Sequence, residues 1–246
     1  MREDYGAAYR ELYKHHWWWR ARERIILELL RTRQPVNGWD RILDVGCGDG
    51  LFFDELLHFG ELEGVEATAS LVSENGPHRS RIHIGSFDRS LGLAPGFSLV
   101  LMLDVLEHLT DPRSALHYAR ELLVPGGILL VTVPAFNLLW TNHDVINQHY
   151  TRYSRKSFRI LAGLDMCIEV ERYFFHWLFP VKIATRIVEG VLRHRPAPAK
   201  IPAAWINHLL YQFCRLEEET WGRLSLPFGS SLMVILSKPL CETRKD

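Results

Sequence analysis

The run ILDVGCGDG (Ile42 to Gly50) joins a stretch of buried-strand character to three glycines within five residues. Gly46 and Gly48, with Cys47 between them, allow a tight turn and let a ligand approach bare backbone at the start of a helix. Twenty residues beyond Gly46, LEGVEAT ends a second strand on Glu66, where an acid can accept hydrogen bonds from ribose hydroxyls. Together these residues describe a nucleoside site. A dinucleotide fingerprint would place a third glycine at position 51, where Leu51 stands, so a nicotinamide-dependent reductase is the weaker reading.

Two further groups of polar residues could face a second ligand. DVLEHL presents Asp104, Glu107 and His108 after the expected fourth strand, at the carboxyl edge where such sheets bind ligands. WTNHDVINQHYTRY then gathers His143, Asp144, His149, Tyr150, Arg152 and Tyr153 into eleven residues. His149 and His143, and with them Tyr153, are candidates for removing a proton, and Arg152 for an anion on the substrate. The competing reading is that these side chains cap the next helix and bond the loop to itself.

The elements needed to position these groups are legible as a rhythm. Short β-rich runs (RILDVG, LEGVEA, RIHIGSF, FSLVLML, GGILLVTVPA) alternate with helical segments, including LFFDELLHFG and DPRSALHYARELL. This pattern predicts an α/β, doubly wound sheet with helices on both faces. Beyond Pro134, SRKSFRILAGL predicts a helix closed by Gly163. MCIEVERYFF and SSLMVILSKP read as strands, separated by helices over 177–193 and 203–224 that RPAPAKIP joins. The expected organisation is one domain over 1–246. Helices occupy 1–40, the core sheet 41–175 and 230–239, and a helical insertion 176–229.

These motifs, in this order, resemble those of the class I S-adenosylmethionine-dependent methyltransferases, and are similar to the groups termed methyltransferase types 11, 12 and 23. The resemblance covers 41–134 most closely. It implies a Rossmann-like seven-stranded sheet of order 3-2-1-4-5-7-6 with the last strand antiparallel, and S-adenosyl-L-methionine as cofactor, leaving S-adenosyl-L-homocysteine as product. It further implies that Asp44, Gly46, Cys47 and Gly48 hold the methionine moiety, Glu66 the ribose, and Ser86 and Phe87 the adenine, with Asp88 close by and Leu103 on the pocket floor. DxxEH over 104–108 is similar to an ExxEH pattern that binds a divalent ion in some methyltransferase branches. The aspartate at 104 departs from it, and a structural or substrate-shaping role without metal is preferred, with His108 near the substrate. The rival to a transferase is a binding protein on the same fold that performs no transfer.

Composition narrows the acceptor. Lys+Arg and Asp+Glu both total 29, so there is no basic field for a phosphate backbone, and no NPPY-like tetrapeptide follows the fourth strand. A small-molecule acceptor is expected, and no nucleic acid. Four cysteines without CxxC pairing suit a reducing cytoplasm. The N-terminus lacks the apolar core of a signal peptide. The apolar stretch from Tyr173 into 195 is broken by Pro180 and carries Lys182, Arg186 and Glu189. It is too charged to span a membrane, yet could lie on one. Its aromatic start at Trp177 suggests a hydrophobic or lipid-like acceptor, or else a surface that distinguishes a homodimer from a monomer.

HHWWWRAR (His15 to Arg22) places three tryptophans on one expected helix. At 100° per residue, Ile25, Ile26 and Leu29 form an apolar stripe with Trp18 and Trp19 at its margins, while Trp17 points away as a surface ring. His15 and Arg22 fall in the middle of the stripe, and a buried arginine needs a partner. The resemblance supplies one: Trp18, Trp19 and Arg22 would form a lid, Trp19 toward the acceptor and Arg22 near the cofactor carboxylate. The alternative is that Arg22 pairs with an acid of the protein.

Overall fold

The structure, a computed structural model, describes residues 3–163, 165–192, 199–222 and 224–240. Cys241, and residues 193–195 of the apolar stretch, lie outside them. The chain forms α1 (Glu3–His15), α2 (Trp17–Arg33), β1 (Trp39–Val45), α3 (Phe53–Leu56), β2 (Gly60–Glu66), β3 (Ile82–Ile84), β4 (Phe97–Leu103), α4 (Pro112–Leu122), β5 (Leu123–Pro134), α5 (Asn142–Ile146), α6 (Arg155–Ala162), β6 (Cys167–Phe174), α7 (Leu178–Leu192), α8 (Ala204–Glu219) and β7 (Ser231–Ser237). The seven strands lie in the order β3-β2-β1-β4-β5-β7-β6, with β7 antiparallel to both neighbours, as the resemblance implies.

Alternation along the strands divides the core in two. Ile42, Leu62, Leu99, Leu101, Leu130 and Met233 face α2, α3 and α8. Leu43, Val65, Val100, Met102, Val131 and Leu232 face α4 and α6. Local signals set the helix ends. Asp111 accepts from the Ser114 amide with Pro112 next to it at the start of α4, and α6 runs from its Ser154 cap to Gly163. The helix expected over LFFDELLHFG shrinks to the single turn of α3. Phe53 and Leu56 are wholly buried there, and β2 already begins at Gly60.

The N-terminal segment departs from the expected single helix. His16 adopts extended backbone (φ −78°, ψ 133°) and caps α2 through its Nδ1, which accepts from the Trp18 amide at 3.2 Å. The break shifts the phase of the wheel, so His15 is exposed rather than central, whereas Arg22 is buried as expected. Asn207 of α8 closes the break: its amide donates to the His15 carbonyl at 2.7 Å, and its Oδ1 accepts from the Trp17 amide at 2.9 Å. Trp17 is thus no surface ring. It is partly buried and packs 5.7 Å from the Trp177 ring.

The insertion and the N-terminal helices therefore form one cover over a sheet face. Glu217 of α8 anchors it to the end of β6, accepting from the backbone amides of His176 (2.8 Å) and Trp177 (3.1 Å). Among the described residues no helix is long and apolar enough to cross a membrane. The outer surface of α7 and α8 nevertheless exposes Ile187, Val188, Val191, Trp205 and Leu209.

Candidate active site

The glycine turn after β1 is built for close approach. Gly46 and Gly48 have φ of 76° and 56°, and a Cβ on Gly46 would stand 2.7 Å from Val105 Cγ2. Substitution there would push the turn after β4 away from the turn after β1. Glu66, buried at the end of β2, accepts from the Gly48 amide at 2.9 Å and the Thr68 amide at 2.8 Å, which fixes its carboxylate beneath the turn. Asp44 is buried at the end of β1. Burial raises its carboxyl to about 7; Arg22 opposes the rise and Glu66 adds to it. Burial likewise pushes the Cys47 thiol far from the thiolate form. Leu103 closes β4, Ser86 is exposed just past β3, and the Phe87 ring rests 4.9 Å from Tyr118 of α4.

The cover supplies aromatic rings and one cation. Trp18 and Trp19 meet edge to face at 5.3 Å, Trp18 packs 5.9 Å from Phe175, and Trp19 lies 6.2 Å from Tyr9. The Arg22 guanidinium sits 5.6 Å from the Trp18 ring centre. Its Nε approaches Asp104 Oδ2 to 2.7 Å, an ion pair by distance, yet the N–H is not aimed at the oxygen and this buried atom has no hydrogen bond among the described residues. Asp104 itself holds φ of 57°, strained for a non-glycine residue. Sequence reasoning missed Tyr9, whose ring edge lies 3.8 Å from where a Gly48 Cβ would stand, and Arg10, paired with Asp49 of the turn at 3.0 Å. The four-residue spacing of Tyr9 and Tyr13 on α1 was the available signal.

The polar loop divides into residues that build it and residues that face outward from it. Arg152 does not reach for an external anion. It is buried in a two-point pair with Asp144 (Nε to Oδ1 2.8 Å, second guanidinium nitrogen to Oδ2 3.0 Å) and also donates to the Ala135 carbonyl. Tyr153 donates its hydroxyl to the Leu106 carbonyl at 3.2 Å, and burial raises its pKa, so it serves to dock the loop. The Tyr150 amide donates to the Glu107 carbonyl at 2.7 Å, completing that docking.

His149 is thereby brought beside the turn after β4. Its Nδ1 lies 2.8 Å from Asp144 Oδ1. Burial alone would raise the Asp144 pKa, but hydrogen bonds from His149 and Arg152 outweigh it and hold the carboxyl well below the usual range. A carboxylate only accepts, so Nδ1 is the donor to Asp144, and in the neutral ring Nε2 is the nitrogen left to accept a proton. The His108 ring meets His149 edge to face at 4.7 Å, and His143 lies 6.2 Å from it. Desolvation is the first cause that lowers both His108 and His143 to about 4. Donor atoms of Glu107, His108 and His149 lie within 4.8 Å of one another, a set that could hold a cation. Burial raises the Glu107 carboxyl well above its ordinary value, and Oε2 has no hydrogen bond among the described residues. Trp177 is not brought to this cluster; it packs between Trp17 and Phe213.

Comparison with known proteins gives the arrangement its relatives. A family model described as a methyltransferase domain matches residues 13–164. Ubiquinone biosynthesis O-methyltransferases are similar over part of the chain. The protein from Caulobacter sp. (strain K31) is 31% identical over 111 residues, covering 40% of this chain and 42% of that one. The protein from Alkalilimnicola ehrlichii is 33% identical over 111 residues, covering 41% and 45%. The matched segment thus spans less than half the length of these relatives. Among solved structures, a SAM dependent methyltransferase from Archaeoglobus fulgidus shares the fold at 15% identity and a TM-score of 0.51, over 88% of this chain and 94% of that one. So does the [4+2]-cyclase SpnF, at 18% identity and a TM-score of 0.57, over 91% and 83%.

Proposed function

The chain belongs to the methyltransferase domain family, and from that premise we propose that it transfers a methyl group from S-adenosylmethionine to a hydroxyl of a small, hydrophobic acceptor. The observation that carries the acceptor chemistry is the His149–Asp144 pair at 2.8 Å. A hydroxyl arrives protonated and needs a base as it is methylated, and His149 offers one with its tautomer already fixed. The O-methyltransferase relatives support the same acceptor atom.

The residues present fit the cofactor. Arg22, with a buried N–H lacking a hydrogen bond, suits a carboxylate, Asp44 an ammonium, and Glu66 a ribose. The backbone of Gly46, Cys47 and Gly48 gives close access; Ser86, Phe87 and Leu103 lie further along the same sheet edge. When bound, the cofactor supplies a methyl group on a sulfonium, an electrophile with a good leaving group. What the protein adds is alignment, exclusion of water by Trp18 and Trp19, and a proton acceptor.

Asp44 offers a test of the cofactor assignment. With its carboxyl at about 7, it is half protonated at neutral pH, and an ammonium placed beside it favours the carboxylate. Binding of S-adenosylhomocysteine is therefore expected to release about half a proton at pH 7 and about nine-tenths at pH 6. Calorimetry in two buffers of different ionisation enthalpy measures this. A proton count that stays flat across the range would remove Asp44 from the ammonium site.

A second reading has Glu107, His108 and His149 binding a divalent ion that polarises the acceptor oxygen. We favour the base because Asp144 already orients His149 and burial favours the neutral acid at Glu107. Dialysis against a chelator is expected to leave the transfer rate unchanged; a rate lost and then restored by added magnesium or zinc would establish the metal reading instead. The exposed apolar surface of α7 and α8 is where a membrane-borne acceptor would first meet this cytoplasmic enzyme.

A further inference from the structure

We propose that Lys182 anchors an anionic group of the acceptor, an ionised hydroxyl or a carboxylate, between α7 and the loop that carries His143 and His149. This deepens the methyl-transfer reading and rests on it for the acceptor. Lys182, Arg186 and Glu189 stand at i, i+4 and i+7 on α7, so they share one face. The latter two show where that face points. An Arg186 guanidinium nitrogen donates to the carbonyls of Asn137 (3.0 Å) and Leu138 (2.5 Å), and Glu189 Oε2 accepts from the Asn142 amide at 2.9 Å. Lys182, one turn before Arg186, is therefore directed at the same loop and is partly buried there.

The charged groups around its ammonium are Arg152, Asp144 and Glu189, and its charge also disfavours the imidazolium of His143. Asp144 is committed to Arg152 and His149, and Glu189 to Asn142. Among the described residues Lys182 has neither hydrogen bond nor ion pair. The unpaired ammonium keeps contact with solvent, so an incoming ligand can reach it, and an oxyanion is the ligand that meets it best. Burial lowers its pKa to about 8, which leaves it mostly charged at neutral pH. The loop thus presents a base at His149 and α7 a cation at Lys182, with His143 of the loop beside both. An acceptor bearing an acidic group beside the hydroxyl to be methylated would be turned with that hydroxyl toward His149.

Three probes separate the possibilities, used with the full chain, saturating S-adenosylhomocysteine and a chelator. Catechol is neutral, 3,4-dihydroxybenzoate carries a carboxylate, and 4-nitrocatechol ionises readily to a coloured anion whose absorbance reports its charge. The wild-type protein is expected to bind at least one of the anions ten-fold or more tightly than catechol. The anion that gains identifies the group as carboxylate or ionised hydroxyl. Lys182→Met is expected to abolish that preference and the absorbance change of bound 4-nitrocatechol, while Lys182→Arg retains most of both and both variants bind S-adenosylhomocysteine normally. Equal affinities in Lys182→Met and wild type, no preference for either anion, or uptake of none of the probes would overturn the anchor. Transfer assays with S-adenosylmethionine run in parallel. Methylation that ignores Lys182 removes the anchor and leaves the hydroxyl reading standing; Lys182-dependent binding without methylation of any hydroxyl does the reverse.

Discussion

Replacing His149 with asparagine is expected to lower kcat by on the order of 10² to 10⁴-fold, the usual worth of a positioned base, while S-adenosylhomocysteine binds as tightly as to the wild type. Asparagine is the informative substitution because its amide can still donate to Asp144 Oδ1, now 2.8 Å from His149 Nδ1. The Asp144–Arg152 pair, buried to 0% and 3% exposure, then keeps its third member. Removing Asp144 itself would confound the result, since breaking a buried pair leaves an uncompensated charge and destabilises the protein by about 3 to 5 kcal/mol. Single-turnover transfer separates the chemical step from product release. If His149→Asn transfers methyl at the wild-type rate, no base acts through Nε2, and an acceptor that arrives already ionised becomes the better account.

The parts of this site that were legible in the sequence are those in which neighbours along the chain are also neighbours in space. Gly46 and Gly48 follow β1 and Glu66 ends β2, two adjacent parallel strands, so a sequence separation of eighteen between Gly48 and Glu66 converts directly into the 2.9 Å hydrogen bond that joins them. The same holds for the caps at Asp111 and Ser154. Residue type alone misled where a long-range partner decides the role. Tyr153 looks like a catalytic group and Arg152 like an anchor for a substrate anion, but the carbonyls of Leu106 and Ala135 and the carboxylate of Asp144 consume their polar atoms. Trp17 reads as a surface ring until Asn207, 190 residues away, closes the break at His16 and brings Trp177 against it. The His149–Asp144 pair lies five apart in an irregular loop, a spacing that matches neither helix nor strand, so only the density of polar groups announced it.

Arg22 poses the question on which the cofactor site turns, because the structure pairs it with Asp104 at 2.7 Å while its buried Nε–H lacks a hydrogen bond. Arg22→Met is expected to weaken S-adenosylhomocysteine by about 10 to 100-fold, which corresponds to roughly 1.5 to 3 kcal/mol for hydrogen bonds to a charged group. It should leave 5′-methylthioadenosine, which lacks the amino-acid end, nearly unaffected. Titration calorimetry with both ligands reads the difference. A purely structural arginine would weaken both alike, since its loss would leave Asp104 unpaired and disturb the turn after β4 that presses on Gly46. The double variant Arg22→Met with Asp104→Asn removes that stray charge. If Arg22 serves only to neutralise Asp104, the double variant recovers wild-type affinity for S-adenosylhomocysteine; if Arg22 holds the carboxylate, affinity stays low, because no second cation replaces the lost guanidinium and relief of Asp104 cannot supply one.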